Sequence, residues 1–192
     1  MSSAVLYMSM SLDGFIAGPN ETLDHGLGDG GERLHAWSFP GAKDGANRQV
    51  YDEFMSTGAV VAGRGTFEPA HGWDGDHHDG VPIYILSRSP VPAWAADWPA
   101  VHYGNDIHAA LRDAKHAAGA KNVLVHGAST AQRALASGLL DELEIHLIPV
   151  LMGDGRRLFE NLGGGQRELE RIRVLEGEDG VTHLRYRVRP DR

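Results

Sequence analysis

The sequence predicts an α/β fold: a central, mostly parallel sheet of about eight strands with an antiparallel C-terminal edge and about four flanking helices. Three observations carry this expectation. Short apolar runs alternate with amphipathic stretches through most of the chain, the pattern of strand–helix–strand units. Near the C-terminus, Leu169–Leu175 and Val181–Val188 flank Gly177-Glu-Asp-Gly180, a hairpin-type connection that adds antiparallel strands to a sheet edge. The 192 residues make one domain, 1–192, large enough to bury a core without staples.

The elements follow in order. Ala4–Met10 is short, apolar and closed by Asp13-Gly14, a buried strand and its turn. Residues 22–45 are glycine-rich and aperiodic, a long flexible loop of the kind that is usually functional. Ala46, Val50, Tyr51, Phe54 and Met55 share a helical face that Gly58 closes. Ala59–Ala62, Val81–Leu86 and Ala100–Tyr103 read as strands. Asp106 is placed to cap a helix carrying Ile107, Ala110, Leu111, Ala114 and Ala118, ended by Gly119. Asn122–His126 is the next strand. Ser129 is the expected N-cap of a helix running to Gly138, and Leu143–Val150 is a strand that turns fully apolar.

Composition narrows the function classes. There is no Cys, which removes disulfides, thiolate metal sites and thiol nucleophiles. Lys plus Arg is 18 against 26 Asp plus Glu, a net charge of −8 that argues against nucleic-acid partners. No apolar run is long enough to span a bilayer, and Met1–Ser11 lacks the basic start of a secretory signal. The expected setting is cytoplasmic, with no membrane partner.

Several motifs carry chemistry. Gly26-Leu-Gly28-Asp-Gly-Gly31 spells G-x-G-x-x-G, but no strand precedes it and no clear helix follows, so it reads as loop. Three other segments lie at strand ends before helices or turns, where ligands gather in open α/β sheets. Gly63-Arg64-Gly65-Thr66 offers free N–H groups, a hydroxyl and a guanidinium; Leu86-Ser87-Arg88-Ser89 offers hydroxyls and a second guanidinium. Gly127-Ala128-Ser129-Thr130 opens a helix with small residues. Three such anion sites point to a ligand with several phosphates, such as a dinucleotide. His71–Asp79 holds three His and three Asp without regular metal-ligand spacing and reads as a solvated loop, with no metal assigned. His102, His116, His146 and His183 are given no role. Asp13 is placed to hold its turn by a local backbone bond, with a catalytic carboxylate as the other reading. No G-x-S-x-G, H-E-x-x-H or Walker A pattern occurs.

In this order the pieces resemble the dihydrofolate-reductase fold, a three-layer α/β architecture. They are most similar to the reductase domain of bacterial riboflavin biosynthesis and its stand-alone relatives. The resemblance runs from Val5 to Val188 and rests on Met10-Ser-Leu-Asp-Gly-Phe-Ile-Ala-Gly18, Gly63-Arg-Gly-Thr66, Val125-His-Gly-Ala-Ser-Thr130 and Pro149-Val-Leu-Met-Gly-Asp-Gly155. It implies NADPH, with Ile16, Ala17 and Gly18 beside the nicotinamide. Gly63, Arg64 and Thr66 would take a phosphate on the adenosine side. Leu86, Ser87 and Arg88 would form the strand end that recognises the ribose 2′-phosphate, and Gly127, Ala128, Ser129 and Thr130 would hold the pyrophosphate. It also implies hydride transfer to a small pyrimidinone- or pterin-like substrate, as in a 5-amino-6-(5-phosphoribosylamino)uracil reductase. The alternatives are a true dihydrofolate reductase and a non-catalytic nucleotide-binding module.

The chain departs from these families at three places. Asn47 stands where folate reductases carry an acid, Tyr7 where riboflavin-pathway reductases often carry Lys, and His126-Gly127-Ala128 where they tend to show Glu-Gly-Gly. The expected substrate cleft lies between the first-strand loop, the helix from Asn47 to Met55 and the Leu151–Asp154 loop. Its candidate polar groups are Asp13, Asn47, Tyr51 and Asp154. Relatives often pair, and His146–Met152 is the candidate homodimer segment.

Overall fold

The computed structural model describes residues 2–38, 44–163 and 165–189. One sheet of eight strands forms its centre: β1 (Ala4–Ser11), β3 (Ala59–Gly63), β4 (Ile83–Leu86), β5 (Val101–Gly104), β6 (Val123–His126), β7 (Glu142–Ile148), β9 (Leu169–Glu176) and β10 (Thr182–Val188), in the order β5-β4-β3-β6-β1-β7-β10-β9. The pairings from β5 to β7 are parallel, and β10 pairs antiparallel with both β7 and β9. A two-stranded ribbon of β2 (Phe15–Ala17) and β8 (Arg156–Arg157) stands apart. The helices are α1 (Gly45–Met55), α2 (Arg64–Phe67), α3 (Ile107–Ala118) and α4 (Ala128–Ala136). The predicted fold class is therefore present, eight-stranded sheet and antiparallel edge included.

Alternation along β1 divides the interior. Ala4, Leu6 and Met8 point into the core under α3 and α4, with Leu111, Ala114, Ala131 and Leu135. Val5 and Tyr7 point to the opposite face, into a second core with Phe67, Ile83 and Ile85. Asp106 caps α3 by accepting from His108 N at 2.8 Å. The cap of α4 differs from expectation. Gly127 occupies the N-cap with φ 88° and supplies no side chain, and Ser129 lies inside the first turn. The first-turn N–H groups are thus left open to a ligand.

Residues 22–45 are also less loop-like than expected over their described part. Gly31–His35 forms a 3₁₀ turn, with Leu34 fully buried against Val50, Ile148 and Val181. The glycine cluster is closely packed. Gly18 N donates to Leu27 O at 2.8 Å and Asp29 N to Pro19 O at 2.8 Å. A Cβ on Gly18 would strike Asp29, and one on Gly28 would strike Gly18. These glycines let two backbone segments touch. The His146–Met152 segment is partly committed to the sheet: β7 lies between β1 and β10 and Ile148 is a core residue, while Leu151 is 70% exposed.

Candidate active site

Parallel order brings the C-terminal ends of β4, β3, β6 and β1 side by side. Gly63 pairs with Leu86 and Ala62 with His126, so the three predicted anion-binding turns form one continuous edge. Across it, Arg64 Nη1 donates to Ser89 Oγ at 2.8 Å, and the Ser87 hydroxyl holds the turn through Ser89 N and O. Arg88 is exposed beside them. Gly127 faces Thr66 so closely that a Cβ there would collide with Oγ1. Thr130 is different. Its hydroxyl is buried behind Gly63 with no hydrogen-bond partner among the described residues, so it packs the turn. Leu86 is buried in the core under α3 and α4, and only its backbone belongs to the edge.

A cavity of about 510 Å³ opens from this edge toward α1. Ile16, Ala17, Thr66, Gly127 and Ala128 line one end. Gly18 is taken up by Asp29, as described above. Of the four predicted polar groups, Tyr51 alone lines the cavity. Asp13 lies outside it and ties two segments together. Its carboxylate accepts from Ser11 Oγ at 2.6 Å, Met152 N at 3.1 Å and Gly153 N at 2.8 Å. The Ser11 bond, then the two backbone amides, hold its pKa down at about 2. The bond is thus long-range, and Ser11 Oγ makes the local one, to Phe15 N at 2.9 Å. Asp154 is exposed and accepts only from Gly155 N at 2.7 Å. Asn47 is buried behind the wall, its Oδ1 2.9 Å from His183 Nε2.

The far end of the cavity is aromatic. Tyr7, Trp37, Tyr51, Phe54 and Trp73 line it together with His35, His77, His126 and His146. The rings contact one another: Trp37–His146 centroids lie 4.4 Å apart, Trp73–His77 4.6 Å, Phe54–His77 5.4 Å and Tyr7–Phe54 5.8 Å. Burial pushes His77 down to about 3 and His126 to about 4, and holds His146 well below the ordinary imidazole value. Among the described residues Glu21 and Arg156 are the charged ones lining the cavity, and they neutralise each other through Nε–Oε1 at 2.9 Å and Nη2–Oε2 at 2.7 Å.

Most of this wall escaped sequence reasoning. The His71–Asp79 segment is not simply solvated, since His77 and Trp73 reach the cavity and His78 is buried on Thr57. Among the described residues, no three His, Asp or Glu side chains gather as a metal site. His146 could have been found: in Glu142-Leu-Glu-Ile-His, the polar residues recur at every second position of a strand whose other side chains are buried. A polar face on an interior strand marks a lined cavity or a buried network.

The site joins an open parallel edge to an aromatic-walled cavity, on an α/β fold. The chain matches the family model described as the RibD C-terminal domain over residues 3–182, and it belongs to that family of reductase domains. It is similar in structure to a putative riboflavin biosynthesis protein from Shewanella sp. PV-4, with 25% identity, 99% of this chain and 100% of that one covered, and TM-score 0.74. A pyrimidine reductase-like protein from Corynebacterium diphtheriae matches at 15% identity, covering 99% and 93%, with TM-score 0.71. Acinetobacter baumannii RibD matches at 18% identity and TM-score 0.62, and this chain spans 59% of its length. No curated protein sequence matches.

Proposed function

We propose that the chain is an NADPH-dependent reductase that delivers a hydride to a small heterocyclic substrate. The observation that carries this reading is the continuous edge formed by Gly63–Thr66, Leu86–Arg88 and Gly127–Ser129, opening into an aromatic-walled cavity. The residues fit a dinucleotide. Gly127 provides a cradle that a Cβ would fill, the uncapped start of α4 presents N–H groups, and Arg64 and Arg88 add positive charge. NADPH bound there would supply a hydride from C4 of its nicotinamide. Ile16 and Ala17 would form the wall beside that ring, the Ala128 and Ser129 amides would hold the pyrophosphate, Thr66 would take the phosphate on the adenosine side, and Arg88 would select the 2′-phosphate. The aromatic walls would exclude water around the substrate, and the matching proton would come from solvent at the cavity mouth. By the same reading the protein is a cytoplasmic enzyme with a small-molecule substrate.

Folate reduction is not favoured. Asn47 is committed to His183, and among the described residues Glu21, paired with Arg156, is the one carboxylate lining the cavity. Titration of NADPH fluorescence tests the proposal, and no binding at high micromolar cofactor would overturn it. Arg88→Ala should weaken NADPH by about tenfold or more, the worth of a charge-assisted hydrogen bond, and leave NADH unchanged. Equal loss for both removes Arg88 from the 2′ site. Oxidation of bound NADPH on mixing with substrate panels separates an enzyme from a binding module.

A further inference from the structure

Three histidines of the chamber share one wiring. His126 Nδ1 lies 3.1 Å from the Tyr7 carbonyl oxygen, which can only accept, so Nδ1 carries the proton. His78 Nε2 lies 3.0 Å from the Thr57 carbonyl oxygen and must donate to it, which in the neutral ring makes His78 Nδ1 an acceptor. His77 Nδ1, 2.7 Å from that nitrogen, must then be the donor. His183 Nε2 donates to Asn47 Oδ1, so His183 Nδ1 accepts from His146 Nδ1 at 3.0 Å. In His77, His126 and His146 alike the proton sits on Nδ1 and points into the protein. Nε2 is left as a lone-pair nitrogen without a hydrogen-bond partner among the described residues, and none of the three is a sealed, unsatisfied atom. Different second partners (a main-chain carbonyl, a neighbouring imidazole, and an imidazole fixed by Asn47) impose the same tautomer.

The rest of the lining limits what those acceptors can receive. Trp37, Tyr51, Phe54 and Trp73 supply flat apolar surface. Among the described residues, the one cation lining the cavity is Arg156, and it is held by Glu21. Among the described residues, a phosphate placed in the chamber would lose water and meet no cation that is not already paired. We propose that His77, His126 and His146 are specificity-determining acceptors for a flat, uncharged, unphosphorylated heteroaromatic substrate whose edge donates N–H hydrogen bonds. This rests on the reductase reading for the location of the substrate end, and its test does not require NADPH.

Lumazine is neutral near pH 7 and has two N–H edges; 1,3-dimethyllumazine lacks both; lumazine-6-carboxylate adds a negative charge. Their binding can be followed by quenching of tryptophan fluorescence in the full chain without cofactor, with NADPH titrated separately. Lumazine should bind about tenfold or more tightly than either relative, because each lost N–H leaves a buried acceptor unpaired. His126→Phe keeps a ring and removes the acceptor, and should bring lumazine toward the dimethyl value. Equal affinities, preference for the carboxylate, or no lumazine binding at about 1 mM overturns the proposal. If NADPH still binds in that case, the reductase reading stands without it; if NADPH fails while lumazine binds as expected, the reverse holds.

Discussion

At Asp13, one carboxylate joins the turn after β1 to the Met152–Gly153 backbone and keeps the β2–β8 ribbon in place beside the cavity. Arg157 completes the join, donating to Asp13 O at 3.0 Å and stacking over Phe15 at 4.3 Å. Because the folded pKa is about 2, below the ordinary 3.8, the stability that Asp13 contributes is fully present above about pH 4 and is lost as pH falls toward 2. Asp13→Asn should flatten that part of the Tm-against-pH curve relative to the parent; an unchanged curve would refute the role. Gly127 carries the complementary constraint. Gly127→Ala forces a side chain onto Thr66 at a φ of 88°, and should cost about 1–3 kcal/mol in urea unfolding and weaken NADPH. At this scale the sequence was a good guide to backbone and a poor one to side chains. Gly63, Thr66 and Gly127 were legible from strand-end position. Asn47 and Asp154 were not, because hydrogen-bond partners distant in sequence decide where a polar group points.

The helix α1 shows how an element can be held without a wide apolar stripe. Asn47 and Val50 are its buried residues. The other anchor is charge. Glu53 bonds Arg173 Nη1 at 2.6 Å on β9 and Arg185 Nη1 at 3.1 Å on β10, and Arg173 also reaches Glu144, which is 0% exposed on β7. Burial pushes Glu144 above the ordinary carboxyl value despite both guanidiniums, whereas Glu53, less enclosed, is held below it by Arg173. Arg173→Met should therefore destabilise by about 3–5 kcal/mol, since it strips a partner from a buried carboxylate. Adding Glu144→Gln should recover part of that loss, and chemical denaturation of the double-mutant cycle reads it directly. Strands and the longer helices were legible because period and caps are local. The short β2–β8 ribbon was not, because its two halves are far apart in sequence and each is too short to show a period.

Over the whole molecule, the histidines set an acid limit. His35, His126 and His183 are depressed to about 4, His77 to about 3 and His146 well below its ordinary 6.5, in each case chiefly by burial. The unfolded chain takes up these protons from about pH 6.5 downward while the folded chain does not, so stability is greatest above that pH and falls steadily toward pH 4. Replacing His146 and His183 together by Phe should shallow this slope, as measured by Tm between pH 7 and about 4. Composition gave the number of histidines but not this behaviour, which depends on which ones the topology turns inward.

The central place of β1 has a consequence during synthesis. Its partners are β6 and β7, so Leu6 pairs with Val125 and Leu143. As the ribosome delivers the chain, this apolar strand emerges well ahead of both partners: neither edge can be covered until residues near 126 have left the exit tunnel, and the second only when residues near 148 have. Parallel pairings of such separation are slow to close and leave strand edges open to other chains. Productive folding of a nascent chain thus begins late, and a chain stalled before β6 presents the most aggregation-prone form of the protein.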